Sequence, residues 1–146
     1  MTIKQALKYK NKLVAKINSE FQKASTYNSF EEGEKRAYSA SEALSKYFDL
    51  SNELVDLKAK IHKANDKVYD KIFLLSELKS RISKLQVLDC SEGKVSDRYS
   101  RIHGETPTIK TVEITILERD KLIQEIEAKI EEVQEELDLH NATTEI

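Results

Sequence analysis

Arg98, Tyr99 and Arg101, within the run DRYSRIHGETPTIKTVEI over residues 97–114, have the types and spacing best suited to chemistry in this chain. Two guanidinium groups beside an aromatic ring can hold a phosphate or carboxylate through paired N–H donors, while the ring stacks on a planar group. Lys94, His103 and Lys110 would add positive charge to such an anion site. The plainer alternative is that these cations pair with acidic side chains of the same or a neighbouring chain, where exposed pairs contribute only about 0–1 kcal/mol each.

Other chemistry has less to build on. His62, His103, His140 and Cys90 are scattered without close ligand spacing, and the Glu-rich C-terminal stretch lacks the Glu-x-x-His repeats of di-iron bundles. No metal or cofactor is therefore expected. No Gly-rich phosphate loop, nucleophile motif or isolated acid pair points to catalysis, so a non-enzymatic protein is expected. The single Cys90 cannot form an intramolecular disulfide and reads as a partly buried thiol near a helix end, in keeping with a reducing compartment.

The elements that must position these residues are helical. Charged residues make up 34% of the 146 and aromatics 7%, with three Gly, one Pro and no Trp, which favours long helices over a sheet-rich fold. Thr2 and Gln5 have capping-box spacing and start a helix over about 3–25, with an apolar stripe of Ile3, Leu7, Val14, Ile17, Phe21 and Ala24 interrupted only by Lys10. Ser39 and Glu42 restart the chain into a helix over about 39–65. From Ala40 through Ala43, Tyr47, Leu50, Leu54, Leu57, Ile61, Ala64 and Val68 the apolar steps alternate three and four without a miss. Asn65 and Asp66 favour a tight break, after which Ile72, Leu75, Leu78, Ile82, Leu85 and Leu88 define a helix over about 70–90. The last helix, about 112–140, carries Val112, Ile116, Ile123, Ile126, Ile130, Val133 and Leu137 on a stripe that also includes Arg119 and His140.

Between the third and last helices, residues 94–111 mix β-branched and aromatic types around a central HGETP, which suits two short extended segments and a loop. A rival reading makes Thr106 an N-cap with Pro107 at the first helical position. A two-stranded hairpin is marginal alone in water, so an arm of this kind is expected to lean on the bundle or on another subunit.

Charge is unevenly spread. Residues 1–23 carry six Lys against one Glu, and residues 113–146 carry eleven acids against three bases, so the first and last helices are expected to lie side by side, within a chain or between two. Nucleic-acid binding is not expected, because the lysines of the first helix have abundant acids to neutralise them. Lys4, Lys8, Lys12 and Lys16 beside an apolar stripe would fit a membrane surface, yet that stripe is needed as bundle core. No apolar run approaches the length of a membrane span or a secretory signal, and a cytoplasmic protein is expected.

Five segments carry a likeness. DRYSR at 97–101, TVEI at 111–114 and NATTEI at 141–146, with LKSRISKL at 78–85 and IHKAN at 61–65, resemble the small bacterial septicolysin-like family over nearly the whole chain. The resemblance implies a helical fold with a short extended insertion and no defined activity. Nothing in the chain resembles the membrane-inserting hairpins or long apolar helices that pore formation needs.

The expectation is thus one all-α domain over residues 1–146. It is an elongated antiparallel bundle or coiled coil of about four helices, with a short β-hairpin-like arm before the last. The functional expectation is a self-associating protein that makes protein contacts. The alternatives are an anionic small-ligand protein using Arg98, Tyr99 and Arg101, and a peripheral membrane protein using the first helix.

Overall fold

The computed structural model describes residues 1–95, 98–104, 106 and 108–146. Helix accounts for 74% of the described residues, and the sheet among them is one pair of three-residue strands, so the fold is all-α. In chain order the elements are α1 (Ile3–Tyr27), α2 (Ala40–Ala64), a 3-10 turn (Asp66–Val68), α3 (Tyr69–Gln86), β1 (Gly93–Val95), α4 (Arg98–His103), β2 (Thr108–Lys110) and α5 (Ile116–Thr143). Residues Met1–Tyr69 with Glu136–Ile146 make one compact unit, and Asp70–Glu135 make a second.

Helix α1 starts where its capping box dictates. Thr2 N–H donates to Gln5 Oε1 at 3.0 Å, and Gln5 N–H donates to Thr2 Oγ1 at 3.3 Å. Two of the N–H groups that a helix start leaves without intrahelical partners are thereby satisfied. A third, that of Ile3, donates to Thr144 O at 2.9 Å, while Ile146 N–H donates to Met1 O at 3.0 Å. The C-terminal residues thus form an antiparallel bridge with the start of α1, centred on Thr2 and Glu145.

At the other end of α1, Gly33 takes φ +84° in the turn closed by Glu34 N–H to Glu31 O, a position where any side chain would be strained. Arg36 is tied to the same loop: its guanidinium lies 3.7 Å from the Phe30 ring centroid and donates to Tyr27 O at 3.2 Å. Ser39 Oγ then accepts from Glu42 N–H and starts α2.

The α1–α2 pair packs around Ala6, Leu13, Ile17, Leu57 and Ile61, with Leu7, Tyr9, Tyr47, Leu50, Leu54 and Ile146 against them. Every position of the expected α2 seam is buried or half-buried. On α1 the phase differs from expectation: the buried stripe is Ile3, Ala6, Leu13, Ile17 and Ala24, whereas Val14 and Phe21 are exposed. Lys10 allows two interleaved three-four alternations, and alanine, small enough for close helix approach, decides for the one through Ala6 and Leu13.

The break after α2 is a single 3-10 turn. Asn65 and Tyr69 both keep right-handed helical dihedrals, and Tyr69 Oη bonds back to His62 Nδ1. Helix α3 ends at Gln86, earlier than expected, because i→i+3 bonds tighten its end and Asp89 then accepts from Ser91 N–H at 2.9 Å. Leu88 is consequently exposed, and Cys90 is 6% exposed.

In the second unit, β1 and β2 pair antiparallel with Lys94 opposite Ile109, as the extended reading of the arm expects. The short α4 between them was not expected. The reading of Pro107 as a helical first position falls outside the described residues; Thr108 itself is in a strand. Helix α5 begins at Ile116 instead of about 112 because Thr115 and Glu118 form a reciprocal capping box. Glu118 N–H donates to Thr115 Oγ1 at 3.2 Å, and Thr115 N–H donates to Glu118 Oε2 at 3.0 Å. Arg119 sits on the half-buried stripe and turns its guanidinium onto Asp120, with Nη2 at 2.9 Å from Oδ1.

Candidate functional site

The residues singled out for anion binding lie on the short helix of the arm. Arg98, Tyr99 and Arg101 all lie on α4, but the side chains of Arg98 and Tyr99 fall outside the described residues, and that of Arg101 is exposed. Lys94, Lys110 and His103 are exposed as well. The Asp89 carboxyl is held below its usual range by the Ser91 hydroxyl, then by the Ser91 backbone N–H, with a smaller pull from Lys110.

Among the described residues no cluster of three His, Cys, Asp or Glu side chains could hold a metal. His62 is engaged by Tyr69, and His140 by Thr144 at 3.1 Å. No helix among them is long and apolar enough to cross a membrane.

The feature that stands out lies on the α1–α2 hairpin. Its internal core divides the two helices into flanks of opposite character. On one flank Tyr9 donates to Glu53, Lys23 pairs with Glu20 at 2.9 Å, and Glu42 and Lys46 line a cleft with Tyr38. Lys23 also lies 4.9 Å from the Tyr38 ring centroid. This flank has the polar chemistry of a solvated helix face.

The other flank carries no charged side chain on its two stripes over residues 11–25 and 41–55. On α1 it presents Asn11, Val14, Asn18, Phe21 and Ser25, spaced 3-4-3-4; on α2 it presents Ser41, Leu44, Phe48, Ser51 and Val55, also spaced 3-4-3-4. Phe21, Phe48 and Val55 are 52%, 56% and 64% exposed, respectively. Phe21 contacts Tyr47 and Tyr47 contacts Phe48, each pair with ring centroids 5.4 Å apart, so the aromatics link the two helices along this side. Near the interhelix loop, Phe21, Ala24, Ser25, Ala40, Ser41 and Leu44 line an open groove of about 510 Å³.

The lower end of α1 is covered differently. Lys4, Leu7, Lys8 and Asn11 line a cleft with Asp138 and Asn141, which brings the basic start of α1 beside the acidic end of α5 in one unit. The first and last helices were expected to lie side by side; here the start of one meets the end of the other, and α1 runs along α2.

No family model, curated protein or solved structure matches this chain. The resemblance to the septicolysin-like family therefore rests on the residues quoted for it. The sequence signal for the flank was available but unread: once the phase of α1 is set by Ala6 and Leu13, ten flanking positions in a 34% charged chain carry no Asp, Glu, Lys or Arg.

The charged flank makes its own prediction. Glu53 accepts the Tyr9 hydroxyl proton and its negative charge opposes a phenolate, so Tyr9 is raised above the ordinary value of 10.0, chiefly by that hydrogen bond. A folded value above the unfolded one means that the contribution to stability is fully present below pH 10.0 and is lost as pH rises through the folded value. Titration of ¹³C-labelled tyrosine by NMR is expected to show Tyr9 ionising later than in Glu53→Gln; identical titration in the two proteins would contradict the assignment.

Proposed function

We propose that this is a non-enzymatic helical protein that works by self-association, making protein contacts through its helices. The observation that carries the reading is the large apolar surface the chain leaves uncovered. Phe21, Phe48 and Val55 are each more than half exposed on one side of the α1–α2 hairpin, whose fully buried large side chains are Ile3 and Leu13. Scattered exposed apolar residues are ordinary, but an aligned set on one side of a hairpin is the mark of a contact surface. The septicolysin-like resemblance and a cytoplasmic setting belong to the same proposal, the latter resting on the single unpaired cysteine and the composition.

Of the apolar stripe that the membrane-surface alternative would use, Ile3, Ile17 and Ala24 are buried, whereas Val14 and Phe21 are exposed. Sedimentation equilibrium from about 1 to 200 μM tests the proposal, a window chosen for the micromolar affinities of small interfaces. Mass rising with concentration above that of one chain is expected; a single-chain mass throughout would overturn it.

A further inference from the structure

We infer that the charge-free flank of the α1–α2 hairpin is the surface on which a second copy of this chain docks, flank against flank about a two-fold axis, to complete a four-helix core. The inference rests on the self-association reading and names the surface responsible.

Periodicity comes first. Each hairpin helix carries a second seam with the same three-four rhythm as its buried one: Val14, Asn18 and Phe21 on α1, and Leu44, Phe48 and Val55 on α2. A surface helix with one neighbour needs one apolar stripe, whereas a helix in a four-helix bundle packs on two sides.

Charge decides the occupant. In a two-fold contact the same patch supplies both faces, so a patch rich in one sign of charge would meet itself with repulsion. The flank has no charge of either sign over ten positions, in a chain where one residue in three is charged and the opposite flank of the same hairpin is dense with Lys and Glu. It can therefore mate with itself without an electrostatic penalty, while a partner recognised by its charge would find nothing to read. Asn18 adds an uncharged amide that can both donate to and accept from its own copy across the axis, the means by which buried asparagines fix register in helical assemblies.

Size sets the strength. Fourteen steps of about 1.5 Å each make a face about 21 Å long, and two helices about 10 Å wide each make it about 20 Å across. The planar footprint is about 400 Å² per copy, and the accessible surface, which follows the side-chain ridges, is larger. At about 800 Å² of planar area for the two copies together, before the ridges are counted, the pair falls below the standard size of specific interfaces, and a weak dissociation constant, in the micromolar range, is expected.

Phe48→Glu puts a charge in the centre of this surface at a helical position where glutamate is well tolerated, so it is expected to weaken dimerisation about thirtyfold or more with unchanged helical circular dichroism. Val14→Glu is the second variant and should do the same from α1. Leu117→Glu, on an exposed position of α5, should leave the mass unchanged. The wild type adds a measurement that needs no variant: a charge-free contact keeps its dissociation constant within about twofold between 0.1 and 1 M NaCl, whereas pairing of basic α1 with acidic α5 between chains would weaken strongly. Dimers that persist in folded Phe48→Glu and Val14→Glu, or that dissociate in salt, overturn this surface and leave self-association standing. A wild type that stays monomeric at about 200 μM overturns both.

Discussion

Leu13→Ala is expected to lower the free energy of unfolding by about 3 kcal/mol, the middle of the range for deleting a fully buried leucine side chain. Leu13 has no exposed surface and sits in a core cluster of five buried residues, one of them the small Ala6. Few neighbours are available to move into the space it leaves. The unit built from residues 1–69 and 136–146 is small, and a domain of that size carries roughly 4–12 kcal/mol in all. One side chain thus accounts for a large share of the total. The neighbouring Val14→Ala, made at an exposed position, should shift stability by no more than about 0.5 kcal/mol when measured at a protein concentration where the chain is monomeric. Urea unfolding followed by circular dichroism compares the two. A larger loss from Val14→Ala than from Leu13→Ala would show that α1 faces α2 with its other stripe, and the charge-free flank would then be core.

A chain ending at Thr143 is expected to lose about 2–3 kcal/mol. It gives up the hydrogen bonds from Ile3 N–H to Thr144 O and from Ile146 N–H to Met1 O, each contributing about 1 kcal/mol net. It also gives up the Ile146 side chain packed on the hairpin cluster, about another 1 kcal/mol for partial burial. The loss should be local in its first sign: without Thr144 O, the Ile3 amide is an unpaired donor at the start of a helix, and α1 should fray from that end. Hydrogen exchange at the Ile3 amide reads this directly. Unchanged exchange and unchanged stability would mean that the C-terminal bridge does not hold the start of α1.

The reasons some features were legible and others not are physical. The α2 seam could be read without error because nine successive apolar residues keep one alternation, and the structure buries or half-buries all of them. The α5 stripe is half-buried or buried from Arg119 to His140, while Ile116 before it is exposed; Arg119 turns its charge onto Asp120, and His140 meets Thr144 through Nδ1 while its buried Nε2 has no partner among the described residues. In α1 the spacing supported two phases about one residue apart, and only packing against α2 selects between them. The start of α5 was misplaced although Thr115 and Glu118 show the capping-box spacing, because the β-branched run before them kept apolar periodicity going. The bridge between residues 2 and 145 links positions nearly a chain length apart, which no local pattern encodes. For the arm, strand pairing followed from composition, but the intervening α4 did not, since a helix of six residues leaves too little periodicity to detect. The charge-free flank is visible only as a pattern of what is missing, and only after the phase of α1 is known.

The account stands on the hairpin flank pairing with itself. Static light scattering on the wild-type chain, at about 200 μM in 0.1 M and in 1 M NaCl, tests it most directly, since salt at the higher concentration screens exposed charges beyond about 3 Å. The predicted result is a mass close to twice the 16.8 kDa of one chain, the same in both salts. A mass of one chain in either condition would contradict it.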